Sequence, residues 1–328
     1  MNHWERITAA LEKKPVDRVP VSLWRHWPIE DEEPQGLADA MLRWQKKYDF
    51  DLLKFCPTGT YGIEDWGAET EFIYNDHGVR TITKHQINSP KDWANLGSLD
   101  VTQGYLGNQN EALKITADEL KGNVPILQTI FSPLTTARKL AGDRIFTDLR
   151  CHPDQFKKAL QTIAETTINF GLEAIKSGAD GMFFATQLGN FRSLSLAEYK
   201  EFGEFYDRLI LDALRGSSKI MMLHMHGDDI MFDLLRKYPV DAINWHDRIT
   251  KPNLKEASAV FPGMVVGGIS EWTTMLTGAK KDIEAEVADA IDQTQGKGFL
   301  LAPGCVMSTE TKPANVRIVC ETAQRLKQ

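Results

Sequence analysis

The stretch PDQFKKALQTIAETTINFGLEAIKSGADGMFFA, residues 153–185, holds one full repeat of the architecture. Its first part sets Phe156, Leu160, Ile163, Thr167 and Phe170 three and four residues apart, the spacing of a single helix face. Pro153 opens that helix at a position where a missing N–H costs little. After Ser177 the period changes. Gly181 to Ala185 is a short apolar run without helical spacing, as expected of a strand buried on both faces. Moving outward in both directions, similar runs recur at Val19 to Leu23, Phe50 to Phe55, Val124 to Phe131, Ile220 to Leu223, Asp241 to Trp245, Met264 to Gly268 and Gly298 to Ala302. Helical patterns lie between them, at Leu196 to Leu214, Asp282 to Thr294 and Lys312 to Lys327, and Pro252 and Pro313 sit near helix starts. Eight strands alternating with helices predict an α/β fold with a parallel sheet, closed as a single (β/α)8 TIM barrel over residues 1–328.

One segment breaks the rhythm. Glu71 to Ile87 (EFIYNDHGVRTITKHQI) reads as a β-hairpin turning at Asp76, His77 and Gly78. It is expected as an insertion after the second strand, either covering the barrel mouth or making an oligomer contact such as a homodimer needs.

Composition narrows the function. A net charge of -7 argues against a nucleic-acid partner, which needs a surplus of Lys and Arg. No run approaches the roughly 20 apolar residues of a membrane span, and Met1 to Lys14 lacks the apolar core of a secretory signal. Four scattered cysteines (Cys56, Cys151, Cys305, Cys320) make no disulfide framework, so a cytoplasmic protein with reduced thiols is expected.

Residues at strand C-termini of a parallel barrel share one mouth. The run ending at Leu223 leads into His224-Met225-His226-Gly227, and residues two apart on extended backbone face the same way. The last run leads into Pro303-Gly304-Cys305, which brings a thiol to the same rim. Two imidazoles and one thiol suit zinc, and three protein ligands leave the open position of a catalytic site. Taken alone, a His-x-His pair is as readily one packed and one solvated residue, and a single Cys a small buried hydrophobe. Around this trio His246 could be a ligand, a general base or a substrate contact, and Glu271 a ligand or base; the two are assigned catalytic roles. Gln187, Asn190, Arg25 and Trp245 are assigned to substrate binding, with Trp24, Trp27 and Trp66 as further aromatic walls.

Several motifs resemble the uroporphyrinogen decarboxylase superfamily along nearly the whole chain. They are Arg6 to Trp24 (RITAALEKKPVDRVPVSLW), Phe131-Ser132-Pro133-Leu134-Thr135, Gly178-Ala179-Asp180-Gly181 and Leu301 to Val316 (LAPGCVMSTETKPANV). The superfamily has a decarboxylase branch and a branch of zinc-dependent methyltransferases acting on corrinoid-bound methyl groups and thiols. The decarboxylase pattern is poorly kept: Arg25-His26-Trp27-Pro28-Ile29 retains one of two arginines, Phe55-Cys56-Pro57-Thr58 lacks the family's aspartate, and Lys139 stands where its tyrosine is expected. Leu223-His224-Met225-His226-Gly227 and Pro303-Gly304-Cys305 are similar to the methyltransferase zinc motifs, with His226 replacing a cysteine. That exchange of thiolate for neutral imidazole makes the implied site one unit more positive and a stronger Lewis acid. The resemblance thus implies zinc on His224, His226 and Cys305, and a methyl group moving between a small thiol and a cobalamin carried by a partner corrinoid protein. The alternatives are a tetrapyrrole decarboxylase of porphyrin biosynthesis and a non-catalytic corrinoid- or metal-binding subunit.

Overall fold

The computed structural model of the protein describes residues 1–326; the expected helix end at Lys327 lies outside them. In chain order the strands are β1 (Leu53–Phe55), β2 (Glu69–Glu71), β3 (Thr81–Lys84), β4 (Ile126–Phe131), β5 (Gly181–Thr186), β6 (Ile220–Met225), β7 (Ala242–Trp245), β8 (Met264–Ile269) and β9 (Phe299–Pro303). Seven of them form one parallel sheet in the order β1-β4-β5-β6-β7-β8-β9. Helices pack outside it, including Pro34–Tyr48, Gly104–Leu120, Pro153–Lys176, Phe205–Arg215, Lys280–Thr294 and Pro313–Arg325.

The eighth wall position is filled by the expected run Val19 to Leu23, although it forms no regular strand. Ser22 N donates to Leu301 O and Leu301 N to Pro20 O on one side, and Asp51 N donates to Val21 O on the other. These bonds close the ring between β9 and β1. The ladder is broken for local reasons: Pro20 has no N–H to give, and the Val21 N–H is taken by the Asp51 carboxylate at 2.9 Å.

Alternation along the strands builds the interior. Ile220 and Met222 of β6, Ala242 of β7, Met264 and Val266 of β8, and Leu300 and Ala302 of β9 face inward with Leu52, Leu127 and Phe183. Their neighbours Met221, Leu223, Ile243, Val265 and Leu301 face the helices. The helix His3–Leu11 plugs the bottom with Ile7 and Ala10. There Asp51, fully buried, accepts from Arg6 and Arg18 at 2.6 Å each, and His3 Nδ1 lies 3.0 Å away. Burial alone would push the Asp51 carboxyl up, but these partners hold it below the usual range.

Two expectations shift in detail. The hairpin is real but narrower at its base: β2 and β3 pair antiparallel, Glu69 with Lys84 and Glu71 with Thr81, and residues 72–80 form a broad loop. That loop lies over the mouth, where His77 packs on Trp272 with ring centroids 4.1 Å apart. The helix expected from Leu196 to Leu214 is interrupted by a wide π turn at Lys200–Glu204, next to the buried Tyr199 ring.

Candidate metal centre

His224 is the last inward residue of β6, paired in register with Asn244 of β7. Its Nδ1 lies 2.6 Å from Asn244 Oδ1. Asn244 spends both amide hydrogens on carbonyl oxygens, Val266 at 3.0 Å and Pro303 at 3.1 Å. With its nitrogen so committed, its oxygen can only accept. Nδ1 of His224 therefore carries the hydrogen, and Nε2 offers its lone pair to the mouth.

His246 follows β7 and is fixed the same way. Its Nδ1 donates to Glu271 Oε1 at 2.7 Å, from just beyond β8. Both side chains are buried. Carboxylate-to-imidazole pairing of this kind orients a metal-ligating histidine and raises its basicity. His226 is anchored through its main chain, N to Thr186 O at 3.0 Å. Its Nδ1 lies 3.4 Å from His246 Nε2 and 3.6 Å from Cys305 Sγ. Gly304 lets the Cys305 loop come this close. A Cβ there would stand 2.9 Å from His246 Cα and 3.1 Å from Trp245 O.

One donor atom from each of His224, His226, His246 and Cys305 thus lies within 4.8 Å of all the others. Tetrahedral bonds of about 2.0–2.1 Å to nitrogen and about 2.3 Å to sulfur imply about 3.3 Å between nitrogens and about 3.6 Å between nitrogen and sulfur. The observed 3.4 and 3.6 Å match those spacings, and 3.4 Å is long for a hydrogen bond between two ring nitrogens. Three imidazoles and one thiol also form a donor set suited to zinc. The residues present fit the ion.

Electrostatics agree. Burial pushes the Cys305 thiol up, but His224, together with hydrogen bonds from His224, His226 and His246, draws it well below its ordinary value. Burial pulls His246 down, yet Cys305 and Glu271 raise it to about 10. His224 is lowered, first by burial. A thiolate and a carboxylate around His246 leave the pocket in need of positive charge, supplied by protons or a cation.

The cluster forms one wall of a cavity of about 330 Å³ also lined by Trp24, Phe131, Phe183, Gln187 and Trp272. Of the residues assigned to substrate, Gln187 lines this space. Arg25 does not: it stacks on Trp27 and donates to His26 O and Thr309 O. Asn190 braces its own turn through Gln187 O and Ser193 N, and Trp245 is fully buried, donating to Pro252 O. Neither they nor Trp27 and Trp66 are among the lining residues.

Sequence reasoning passed over the β1 and β4 side of the cavity. Lys54, buried in β1, donates to Cys56 Sγ at 3.3 Å, and His26 Nδ1 is 3.7 Å from the same sulfur. Lys139 holds Gly59 O, and desolvation lowers its amine to about 7. The signal for Lys54 was available: a lysine at an inward position of an otherwise apolar strand needs a reason to be there.

The uroporphyrinogen decarboxylase family profile matches residues 2–326. The chain belongs to that family. Within it the similarity leans to methyltransferases. A methylcobamide:CoM methyltransferase of Methanosarcina mazei is 23% identical, covering 98% of this chain and 97% of that protein. One from Methanosarcina barkeri is 24% identical over 95% of this chain and 94% of its own length. A uroporphyrinogen decarboxylase of Francisella tularensis, also 24% identical, covers 79% of this chain and 75% of itself. Among solved structures, a methyltransferase from Methanosarcina mazei superposes with a TM-score of 0.87 at 21% identity, over 99% of both chains. It shares the barrel described above. Among the described residues no helix is long and apolar enough to cross a membrane.

Proposed function

We propose that this family member is a corrinoid-dependent methyltransferase that holds a zinc ion on His224, His226, His246 and Cys305. In this reading it moves a methyl group between a corrinoid on a partner protein and a small thiol. The observation that carries the metal reading is the convergence, within 4.8 Å, of four donor atoms from three separate strand ends, two of whose spacings fit a tetrahedral site. The similarity to methylcobamide:CoM methyltransferases over nearly the full length supports the reaction class. The zinc would contribute Lewis acidity, favouring the ionised, nucleophilic form of a bound thiol near neutral pH.

The chain's own residues do the rest. Asn244 and Glu271 keep His224 and His246 in the tautomer whose Nε2 faces the centre. Of the three roles open to His246 (ligand, general base or substrate contact), this reading takes that of fourth ligand, and it makes Glu271 the residue that positions it. Trp24, Phe131 and Phe183 wall the cavity with apolar surface, which strengthens electrostatic attraction inside it. Gln187 offers a polar contact to the acceptor.

The test is elemental analysis of purified protein, followed by anaerobic titration with methylcobalamin and candidate thiols. One zinc per chain and zinc-dependent loss of the methylcobalamin spectrum with a thiol are expected. Metal-free protein that demethylates equally well would overturn the reading. One observation favours a second reading, a non-catalytic metal-binding subunit: four protein donors are the mark of a closed, structural site. Stoichiometric zinc without turnover of any thiol would select it.

A further inference from the structure

The cavity holds a second thiol that the metal reading does not use. Lys54 and Cys56 stand two residues apart at the end of β1, so both side chains turn to the barrel interior. The amine lies 3.3 Å from the sulfur. Lys54 is 5% exposed and Cys56 1% exposed, and both line the cavity, which is accessible to molecules of a few atoms. No carboxylate lines this cavity among the described residues, so the ammonium has the sulfur as its charge partner there. His26 Nδ1 gives its hydrogen to Pro57 O at 3.0 Å and lies 3.7 Å from the same sulfur. Burial acts to raise the Cys56 thiol, but Lys54 and His26 draw it down to about 7.

We propose that Cys56 and Lys54 form a reversible oxidative modification site that takes a small hydroperoxide and closes into a sulfur–nitrogen cross-link. The Cys56 thiolate attacks one peroxide oxygen; the O–O bond breaks, and water or an alcohol leaves with the electron pair. The resulting sulfenate takes a proton from the Lys54 ammonium, which frees the amine. The amine nitrogen then attacks the sulfur, the S–O bond breaks and water departs. The net change is thiol plus amine plus hydroperoxide to sulfenamide plus two waters, or water and alcohol. Sulfenic acids are known to condense with neighbouring thiols and nitrogens, and here the nitrogen is already in place. The product removes one positive and one negative charge from the cavity wall and leaves the His224 side untouched.

The other cysteines make internal comparators. Cys151 is exposed, while burial pushes the Cys320 thiol up to about 12. Cys305 is held in the zinc-loaded protein. The experiment treats zinc-loaded protein with hydrogen peroxide, digests it at glutamate without reductant, and weighs the peptides. The peptide carrying residues 54–56 should become about 2 Da lighter through loss of two hydrogens, and dithiothreitol should restore it. Zinc content should not change. In K54R the cation remains but the condensing amine is gone, so the same peptide should gain oxygen and never lose hydrogen. In K54M, as a second variant, Cys56 should lose its thiol more slowly than in the parent. The proposal fails if wild-type Cys56 only gains oxygen, or if Cys151 is consumed while Cys56 stays reduced.

Discussion

The two ends of the barrel each bury a cluster of titratable side chains, and they are built in opposite ways. At the bottom, the Asp51 carboxylate is met by Arg6, Arg18, His3 and the Val21 N–H. Every charge there has a protein partner, and the cluster ties the N-terminal helix and the irregular first strand to β1. At the top, His224, His226, His246 and Cys305 turn one donor atom each toward a common point, with 3.4 Å between the His246 and His226 nitrogens and 3.6 Å from His226 to the Cys305 sulfur. The outer nitrogens of His224 and His246 are satisfied by Asn244 and Glu271, and their inner nitrogens face the cluster. A self-neutralised cluster stabilises; a cluster that converges on lone pairs asks for a cation.

This contrast predicts effects that separate. Replacing Cys305 or His224 with alanine should lower zinc retention and methyl transfer by more than about a hundredfold, beyond the range of outer-shell losses, with little change in melting temperature. Zinc assay and calorimetry on the same sample would check it; equal loss of fold and metal would break the contrast. At the other end, D51A should cost about 3–5 kcal/mol in urea unfolding by removing the carboxylate that pairs the half-buried Arg18 and one arm of the buried Arg6, while zinc stoichiometry per folded chain stays the same. The pH dependence follows. A carboxyl held below its unfolded pKa of about 3.9 contributes stability above that value, lost as pH falls through the folded pKa. D51N should therefore flatten the stability profile below about pH 4, measured by acid titration of the folded signal. Between these extremes, N244L removes the oxygen that fixes His224 and the donors to Val266 O and Pro303 O. Metal affinity should fall by about 10–100-fold in a chelator competition, with the ion still bound at high zinc. The smallest effect is expected for R25K. Arg25 bonds only backbone carbonyls outside the cavity, so kcat/KM should stay within about twofold and stability within about 1 kcal/mol. A tenfold rise in KM would return Arg25 to the substrate site.

The alternation of apolar runs and helices carried the fold, because strands buried on both faces and amphipathic helices leave distinct periods in the chain. It could not show that Val19 to Leu23 would close the ring without a regular ladder. That outcome depends on Pro20 and on Asp51, 31 residues further on, occupying a backbone N–H. In the candidate metal centre, His224 and Cys305 are readable because one stands at the end of a strand and the other just after one. The sequence leaves the place of His246 open, since a histidine after a strand can face a metal, a substrate or its own loop. Only its Glu271 partner and the 3.4 Å approach to His226 place it in the cluster. Lys54 is hidden in a run read for its hydrophobicity, and Cys56 is read only as standing in the stretch that lacks an aspartate.

Gly304 gives the pocket an unusual sort of ruler. Because its missing side chain lets the main chain at Trp245 and His246 press against the Cys305 loop, the gap between sulfur and imidazole is gauged by backbone contact. A single methyl at residue 304 would wedge the two loops apart and press on the Glu271 carboxylate that holds His246. The width of the cluster is thus written in a residue that has no side chain to coordinate anything.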